Sequence, residues 1–465
     1  MSHYKPDPNK NVNLFIDGRP VTVPEGTRIL EAARKADVFI PTLCEHPNLC
    51  KRAVCRICVV ECDGRGKLMA ACANDVSEGV HIVTHNARLD SIRKTIIELI
   101  LQNHPQECLT CIRNNTCELQ KLAADYGIRE SAFRHGTERQ KPAVTESNTL
   151  VRDMGKCVKC GRCVETCQNV QSVGAINSSR RGVHYEISAP YGESPADGLC
   201  VYCGQCAQVC PVGAICEHDQ SAEAWTLLQG AEPPAVQVDP SLAAAFDDTL
   251  GLPARTVSAG KLVTAIKRLG FSAVFDSRFS ARAAATEVSG ELLRRIRQGG
   301  KLPLVAGCSQ GWVRFAENFY PDMMDHIYRY DAQSRKATVS IEPCLAKKYK
   351  TQQPNVTLTV QELTRMFRLI GVDFTDLPES PFDVAEGDAL NPADFRADEA
   401  EVMLKGARAK ILRVHGLGNA RATMESIRRG ECDATVVEIM CCPGNRAGCG
   451  SVGPYMADAL RKLDG

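Results

Sequence analysis

The sequence contains two runs of four cysteines, CVKCGRCVETC at residues 157–167 and CVYCGQCAQVCP at residues 200–211. In each run the first three cysteines recur every third residue, so one tight loop can present three thiolates to three corners of a 4Fe–4S cubane. The fourth cysteine lies on the following helix and reaches the other cluster. We therefore predict two adjacent 4Fe–4S clusters, one held by Cys157, Cys160, Cys163 and Cys210 and the other by Cys200, Cys203, Cys206 and Cys167.

Zinc is the main alternative for cysteines at such spacings. A structural zinc site uses one or two CxxC pairs, whereas this stretch repeats a complete eight-cysteine pattern. The chain has 24 cysteines in 465 residues, and they cluster at metal-ligand spacings instead of forming a disulfide framework. The pattern favours iron–sulfur clusters that carry single electrons in a reducing compartment.

Composition narrows the setting. The formal net charge is +1, which gives no indication of a nucleic-acid partner or an anionic membrane surface. The chain opens with MSHYKPDPNK instead of an apolar signal region, and it has no run of 18 apolar residues. We predict a cytoplasmic protein of about three or more domains with no membrane span.

The N-terminal part begins with a hairpin signal. Apolar residues alternate over 12–23 around Asp17-Gly18, and Thr27 is predicted to cap the helix that follows. This combination and the cysteines after it resemble a β-grasp 2Fe–2S ferredoxin module at residues 10–85. The resemblance implies that the ligands of one 2Fe–2S cluster are Cys44, Cys55, Cys58 and Cys72. Cys50 and Cys62 are surplus to four ligands, and we expect them to be a loop thiol and a strand thiol.

A predicted helix over residues 89–102 leads into a second motif, His104-x3-Cys108-x2-Cys111-x5-Cys117. A lone histidine is usually a core or surface residue, but three cysteines at cluster spacing make His104 a candidate ligand. The motif resembles the 4Fe–4S site of complex I large subunits and modular iron–iron hydrogenases, with a helical module at residues 86–125. Because imidazole is neutral where a thiolate is charged, it would change the cluster potential.

The order of modules carries a further resemblance. A 2Fe–2S site, a histidine-ligated cubane and a two-cluster ferredoxin module at residues 150–217 are similar to the N-terminal relay of multi-cluster iron–iron hydrogenases. Residues 126–150 have the polar, mixed composition of a connecting segment.

Residues 218–465 have the alternating pattern of an α/β domain, with short strands predicted at 273–275, 304–306, 339–341 and 435–437 and helices at 291–297 and 360–369. No GxGxxG or Walker loop follows these strands, so we predict no nucleotide site. The region resembles the catalytic domain of iron–iron hydrogenases in the segments GKLVTAIKRLGFSAVFD, GWVRFAENFYP, EPCLAKK, HGLGNAR and EIMCCPG.

The resemblance also shows what has changed. In that family three cysteine motifs enclose the hydrogen-activating H-cluster. Here Ser309 replaces one cubane ligand, and Arg446 occupies the position of the cysteine that bridges to the di-iron subcluster. A guanidinium does not ligate iron. In the proton path Glu287 is kept, but its expected acidic neighbour is Val288.

We therefore expect a degenerate hydrogenase domain without an H-cluster. Two interpretations of its remaining thiols stay open. They are relics, since free cysteine is a common buried residue, or they hold a fourth 4Fe–4S cluster through Cys308, Cys344, Cys442 and Cys449, with Cys441 as the alternative to Cys449.

The family resemblance implies a non-catalytic electron-transfer subunit of a flavin-based, electron-bifurcating NAD(P)H/ferredoxin oxidoreductase of the transhydrogenase type. Its expected partners are flavin- and NAD(P)H-binding subunits of the same hetero-oligomer and soluble ferredoxin. The alternatives are a redox-sensing or scaffold protein and a hydrogenase with a modified active site.

Overall fold

A computed structural model describes residues 7, 9–63, 67–129, 133, 144–189, 198–307, 309–329, 338–349, 356–383, 399–404, 407–444, 455, 456, 459, 460 and 463. Three residues that carry sequence predictions, Cys308, Arg446 and Cys449, lie outside the described residues.

The N-terminal unit is a five-stranded mixed sheet with the strand order β2-β1-β5-β3-β4. The predicted hairpin is confirmed, because β1 and β2 are antiparallel and Ile16 lies opposite Arg19. Asp17 and Gly18 form its turn with φ values of 48° and 78°, as a tight hairpin requires. The unit consists of β1 (Asn11–Ile16), β2 (Arg19–Pro24), α1 (Ile29–Lys35), β3 (Val59–Cys62), β4 (Lys67–Ala70) and β5 (His81–Val83).

The prediction that Thr27 caps the first helix is wrong. Helix α1 begins at Ile29, the residue before it is Arg28, and no side chain caps it. The Thr27 hydroxyl instead donates a hydrogen bond of 2.6 Å to the carbonyl of Pro24. This turn bond satisfies the hydroxyl locally, so it is not available to the helix.

Two helices follow the sheet, α2 (Ala87–Gln102) and α3 (Glu118–Asp125). The predicted helix over 89–102 is confirmed and begins two residues earlier. Its N-cap is Asn86, whose side chain accepts a hydrogen bond of 2.8 Å from the backbone of Leu89. The helix buries Leu89 and Ile97 and ends just before His104.

The segment with the two four-cysteine runs is built from very short elements. The antiparallel pairing of β7 with β10 joins its beginning to its end. After α4 the chain makes a π-helical turn at Thr166–Val170 that contains Cys167. The elements are β6 (Thr145–Glu146), β7 (Leu150–Arg152), α4 (Arg162–Glu165), β8 (Asn177–Ser179), β9 (Glu186–Ser188), α5 (Gln205–Val209) and β10 (Ile215–Glu217).

The C-terminal α/β region contains two sheets with the strand orders β12-β11-β15-β16 and β14-β13-β19-β18-β17. The first sheet is parallel, and the second is parallel except for the β17–β18 pair. The strands are β11 (Ala235–Val238), β12 (Ala273–Asp276), β13 (Leu304–Gly307), β14 (Ile327–Tyr328), β15 (Val339–Ile341), β16 (Val356–Leu358), β17 (Glu399–Leu404), β18 (Ala407–His415) and β19 (Val436–Met440).

Helices connect these strands, as an α/β pattern requires. The helix predicted over 360–369 has those bounds, and the one predicted over 291–297 is the last part of a 21-residue helix. The helices are α6 (Ser221–Leu228), α7 (Ala243–Leu250), α8 (Ala259–Arg268), α9 (Arg278–Gln298), α10 (Gln310–Phe319), α11 (Val360–Leu369) and α12 (Leu417–Arg428).

The second cysteine run is packed into the C-terminal domain. Val201 and Tyr202 belong to the same buried core as Trp312 of α10 and Ile439 of β19. The second cysteine run, at the end of the N-terminal half, therefore packs against the apolar core of the C-terminal domain.

Candidate iron–sulfur sites

The N-terminal site combines the loop before β3 with the turn after β4, and it contains Cys44, Cys55, Cys58 and Cys72. Its thiols form two hydrogen-bonded pairs, Cys44 with Cys55 and Cys58 with Cys72. The hydrogen bond from Cys55 lowers the pKa of Cys44 to about 6, and the bond from Cys72 lowers the pKa of Cys58 to about 7. The partner thiols have raised pKa values. Two pairs of thiols fit a 2Fe–2S cluster, which takes two ligands per iron.

The two surplus cysteines lie apart from these pairs. Cys50 is exposed in the loop, and Cys62 is a buried residue of β3. Burial raises the pKa of Cys62, as expected for an apolar thiol. Their predicted roles as loop and strand thiols agree with these positions.

The histidine site lies between the end of α2 and the start of α3, around a cavity whose lining includes His104, Cys108, Cys111 and Cys117. Burial lowers the pKa of His104, which keeps the imidazole neutral and its lone pair available for a metal. Its Nδ1 atom is buried and has no hydrogen-bond partner among the described residues. Such an atom is costly unless a ligand satisfies it, so the site fits metal ligation.

The first ferredoxin site is a cavity lined in part by Cys157, Cys160, Cys163 and Cys210. Burial, with a smaller contribution from the charge of Cys210, raises the pKa of Cys157 to about 11 and that of Cys160 to about 12. The last cysteine of the second run therefore lies with the first three of the first run, as the spacing predicts.

The second ferredoxin site groups Cys167 with Cys200, Cys203 and Cys206. Burial raises the pKa of Cys206 to about 12, and the charges of Cys200 and Cys167 act in the same direction. The π-helical turn positions Cys167 here, which is consistent with the frequent occurrence of such turns at functional sites. Arg152 is buried beside this site, with its Nη2 atom 3.6 Å from the Sγ atom of Cys200.

A buried arginine joins three modules at this point. Arg162 is 4% exposed, and its guanidinium donates to the carboxylate of Glu118 at 2.6 Å and to the carbonyl of Glu45 at 2.7 Å. The three residues belong to the first cysteine run, to α3 and to the N-terminal loop. Charge-assisted bonds of this kind fix the positions of the sites relative to one another.

The C-terminal site brings together Cys344, Cys441 and Cys442, each 1% exposed, with Ser309. The Sγ atoms of Cys344 and Cys442 are 3.3 Å apart, and the Oγ atom of Ser309 lies 3.1 Å from the Sγ atom of Cys441. Two of the four predicted ligands, Cys344 and Cys442, are therefore adjacent, while the predicted ligands Cys308 and Cys449 lie outside the described residues.

The five sites are connected by shared apolar clusters. One buried cluster contacts Cys55 of the N-terminal site, Cys117 of the histidine site and Cys157 and Cys210 of the first ferredoxin site. The next includes thiols of both ferredoxin sites. The third joins the second ferredoxin site to the C-terminal site through Cys167, Cys200, Cys203, Cys344, Cys441 and Cys442. Apolar packing among the described residues therefore joins each site to the next.

Across the residues that the structure describes, no three or more histidine, cysteine, aspartate or glutamate side chains converge on one metal ion. Among the same residues, no helix is long and apolar enough to cross a membrane.

Three residues of these sites are not assigned by sequence reasoning. Arg152 and Arg162 approach the clusters from distant segments, and no local pattern indicates them. The motifs indicate Ser309 only as a lost ligand, and the structure places it beside Cys441, the sequence-predicted alternative to Cys449. The pair of adjacent cysteines at 441 and 442 is the sequence feature that could have indicated this site.

These features define an iron–sulfur electron-transfer protein with a hydrogenase-like α/β domain. Residues 9–87 match a 2Fe–2S iron–sulfur cluster binding domain, and residues 93–132 match the NADH-ubiquinone oxidoreductase-G iron–sulfur binding region. Residues 156–214 match a 4Fe–4S dicluster domain. Residues 232–395 and 386–450 match the C-terminal domain of the iron-only hydrogenase large subunit.

Similar proteins cover nearly the whole chain. It is 33% identical to the NADP-reducing hydrogenase subunit HndD of Solidesulfovibrio fructosivorans, over 96% of this chain and 89% of that protein. It is 27% identical to iron hydrogenase 1 of Clostridium pasteurianum, over 97% and 90%. Its N-terminal part is 30% identical to a G-type subunit of the NADH-quinone oxidoreductase of Rhizobium meliloti, over 47% of this chain and 26% of that protein.

The chain belongs to the family of multi-cluster, iron-only hydrogenase-like subunits. It is an iron–sulfur electron-transfer subunit related to NADP-reducing hydrogenase and to the G-type subunits of NADH dehydrogenase.

Proposed function

We propose that this chain relays single electrons between flavin- and NAD(P)H-binding partner subunits and soluble ferredoxin, within an electron-bifurcating oxidoreductase. One observation carries the proposal. Each apolar cluster described above contacts thiols of at least two successive sites, from Cys55 at one end to Cys442 at the other. Bound iron–sulfur clusters would supply one-electron carriers. The chain itself holds those carriers in line and excludes water between them.

We assign one 2Fe–2S cluster to the N-terminal site and one 4Fe–4S cluster to each of the histidine and two ferredoxin sites. The corresponding domains are residues 10–85, 86–125 and 150–217, followed by the hydrogenase-like domain at 218–465. In the first three, the chain supplies fifteen thiols and one neutral imidazole in four sets of four.

Exposed apolar side chains near the first two sites support contact with partner proteins. Leu109 is 90% exposed between Cys108 and Cys111, and Phe39 is 69% exposed ahead of Cys44. Because Leu109 lies between two predicted ligands of the histidine site, a partner that covered this side chain would approach that site closely. We propose that the flavin subunits and ferredoxin exchange electrons in this half of the chain.

The C-terminal domain is proposed to be non-catalytic and to lack an H-cluster. The Ser309 hydroxyl contacts Cys441 in place of a cubane thiolate. On the proton path, Glu287 accepts a hydrogen bond of 2.8 Å from Tyr328, while its neighbour Val288 is fully buried. An apolar side chain at that position does not carry protons.

Stopped-flow reduction of the full chain tests the relay. The chain, reconstituted anaerobically with iron and sulfide, is mixed with a reduced two-cubane ferredoxin. We expect it to take up about one electron per cluster, hence at least about four per chain. Cys160→Ala should remove one carrier and slow the reduction of the remaining clusters. Cys50→Ala, at an exposed surplus thiol, should change neither the number of electrons taken up nor the rate of reduction.

A hydrogen assay separates the proposal from a modified hydrogenase. With methyl viologen as acceptor, the full chain is expected to show no hydrogen uptake above the buffer rate. Hydrogen uptake, or a chain that ferredoxin does not reduce, would contradict the proposed function.

A further inference from the structure

The C-terminal site has a geometry that differs from that of the cubane sites. Among the described residues, four of its polar side chains form two close pairs, Cys344 with Cys442 at 3.3 Å and Cys441 with Ser309 at 3.1 Å. Three of them are thiols that are 1% exposed, and the serine is 8% exposed. The pairs come from three separate segments, at the start of α10, before the turn at Leu345–Lys347 and after β19.

The pairing of thiols in the C-terminal site can be compared with that in the N-terminal site of the same chain. There the thiols also form two hydrogen-bonded pairs, Cys44 with Cys55 and Cys58 with Cys72. In the first ferredoxin site the four thiols of Cys157, Cys160, Cys163 and Cys210 instead line a cavity. This contrast follows from ligation, because a two-iron cluster takes two ligands per iron and a cubane takes one.

The pair distances point the same way. A tetrahedral metal with metal–sulfur bonds of about 2.3 Å places its two thiolates about 3.8 Å apart. The Cys344–Cys442 separation of 3.3 Å needs only a small opening to reach that value. Thiolates on different irons of a cubane are farther apart.

From this geometry we infer that the C-terminal site binds a two-iron, two-sulfide cluster, with Cys344 and Cys442 on one iron and Cys441 and Ser309 on the other. Cys441 is thus a ligand next to Ser309, the residue that replaces a cubane ligand of the hydrogenase motif. The inference rests on the proposed function, since it places a fifth carrier at the end of the same relay.

Contacts with the second ferredoxin site support a role in that relay. The Nε2 atom of Gln205, next to Cys206, lies 3.8 Å from the Sγ atom of Cys442, and the charge of Cys441 acts on Cys203. Gln171, which follows the π-helical turn, donates to the carbonyl of Cys441 at 2.7 Å. Amide donors to ligand sulfur tune the potential of a bound cluster.

Iron and acid-labile sulfide counts on the reconstituted full chain, with EPR of the reduced protein, test the inference. Two two-iron clusters and three cubanes give about 16 irons per chain, and the spectrum should contain a second 2Fe–2S signal. In Cys344→Ala/Cys442→Ala and in Cys441→Ala, about two irons and that signal should be lost. Cys432→Ala, a half-buried thiol at the edge of the same core, is the matched control and should lose neither.

Ser309→Cys tests ligation directly, because the substitution of a residue with only a structural role would not change the g values of the cluster. Because sulfur would replace oxygen on one iron, the iron count should stay at about 16 while the g values of the second 2Fe–2S signal shift. An unchanged spectrum would remove Ser309 from the ligand set and overturn the assignment of that iron.

Three results separate the possible failures. About 14 irons, unchanged in the variants, would make these thiols relics or a disulfide, and about 18 irons with a loss of four would make the site a cubane. Either result overturns the inference and leaves the four-cluster relay intact. A wild-type chain with fewer than about 14 irons would instead contradict the proposed function.

Discussion

The two halves of the chain bury their cysteines in different surroundings. In the N-terminal half the thiols lie among elements as short as the four residues of α4 and the five of α5. In the C-terminal half they lie at the ends of strands in two largely parallel sheets, which are packed by helices of up to 21 residues. Helical turns that short do not form alone, whereas an α/β core of this size does. We therefore expect metal ligation to contribute most to the stability of the segment with the two four-cysteine runs, and apolar packing to contribute most to that of the C-terminal domain.

Iron removal should separate the two halves most visibly. Without metal, residues 144–189 and 198–217 keep only very short elements and a small apolar cluster, so we expect them to unfold. The two C-terminal sheets should stay protected. Hydrogen exchange of the full chain, measured by mass spectrometry before and after anaerobic chelation, reads both halves at once. Equal loss of protection in both would show that the C-terminal fold also depends on metal.

The C-terminal half should depend instead on a buried ion pair. Lys348 and Glu362 are both fully buried, with Nζ–Oε1 and Nζ–Oε2 distances of 2.6 and 2.7 Å, and Lys348 also donates to the carbonyl of His218. Lys348→Met leaves a buried carboxylate without its cation, so we expect a loss of about 3–5 kcal/mol in the free energy of unfolding.

Denaturant titration of the C-terminal domain's transition measures this loss. Arg429→Met, which removes an exposed ion pair to Glu431, is the control and should cost about 1 kcal/mol or less. A similar small cost for Lys348→Met would mean that the domain tolerates the unpaired carboxylate, contrary to this expectation.

A glycine tests how closely the N-terminal sites pack. A Cβ atom at Gly213 would lie 2.8 Å from the Sγ atom of Cys111, so Gly213→Ala should displace that thiol. We expect the loss of about four irons and of the histidine-site EPR signal. Gly290→Ala, in open space on α9, should lose none. Full iron content in Gly213→Ala would remove Cys111 from the ligand set.

The smallest expected effect is on the reduction potential of the second ferredoxin site. Arg152 is buried with its guanidinium 3.6 Å from Cys200, and the reduced cluster carries one more negative charge than the oxidised one. The cation favours the reduced state, so Arg152→Met should lower the midpoint potential of the second ferredoxin site by roughly 50–100 mV, equivalent to about 1–2 kcal/mol. EPR-monitored titration measures it, with the exposed Arg180→Met as control. An unchanged or raised potential would contradict this role.

Local features of the fold were predictable from the sequence. The Asp17-Gly18 hairpin, the helix ahead of His104 and α11 all depend on short-range chemistry, and the structure has them. The cap at Thr27 was not predictable, because a turn bond to Pro24 competes for the hydroxyl. The π-helical turn at Cys167 likewise depends on packing that no residue pattern encodes.

The candidate sites likewise combine features that the local sequence predicts with features that it does not. Spacing within 157–167 and 200–211 indicates which thiols share a loop and predicts the exchange of the fourth cysteine. It does not indicate that Arg162 joins three modules or that Cys441 lies beside Ser309, 132 residues away in the chain. Such contacts are made by tertiary packing between segments whose sequences are unrelated.

The most direct test of the relay is the interaction between its cubanes. In the fully reduced chain, low-temperature EPR should show the signals of the two ferredoxin sites broadened and split by spin–spin coupling. Cys160→Ala, which removes one partner, should return the other signal to a simple, narrow form. Two uncoupled signals in the wild-type chain, unchanged by that substitution, would contradict the claim that these runs place two clusters side by side.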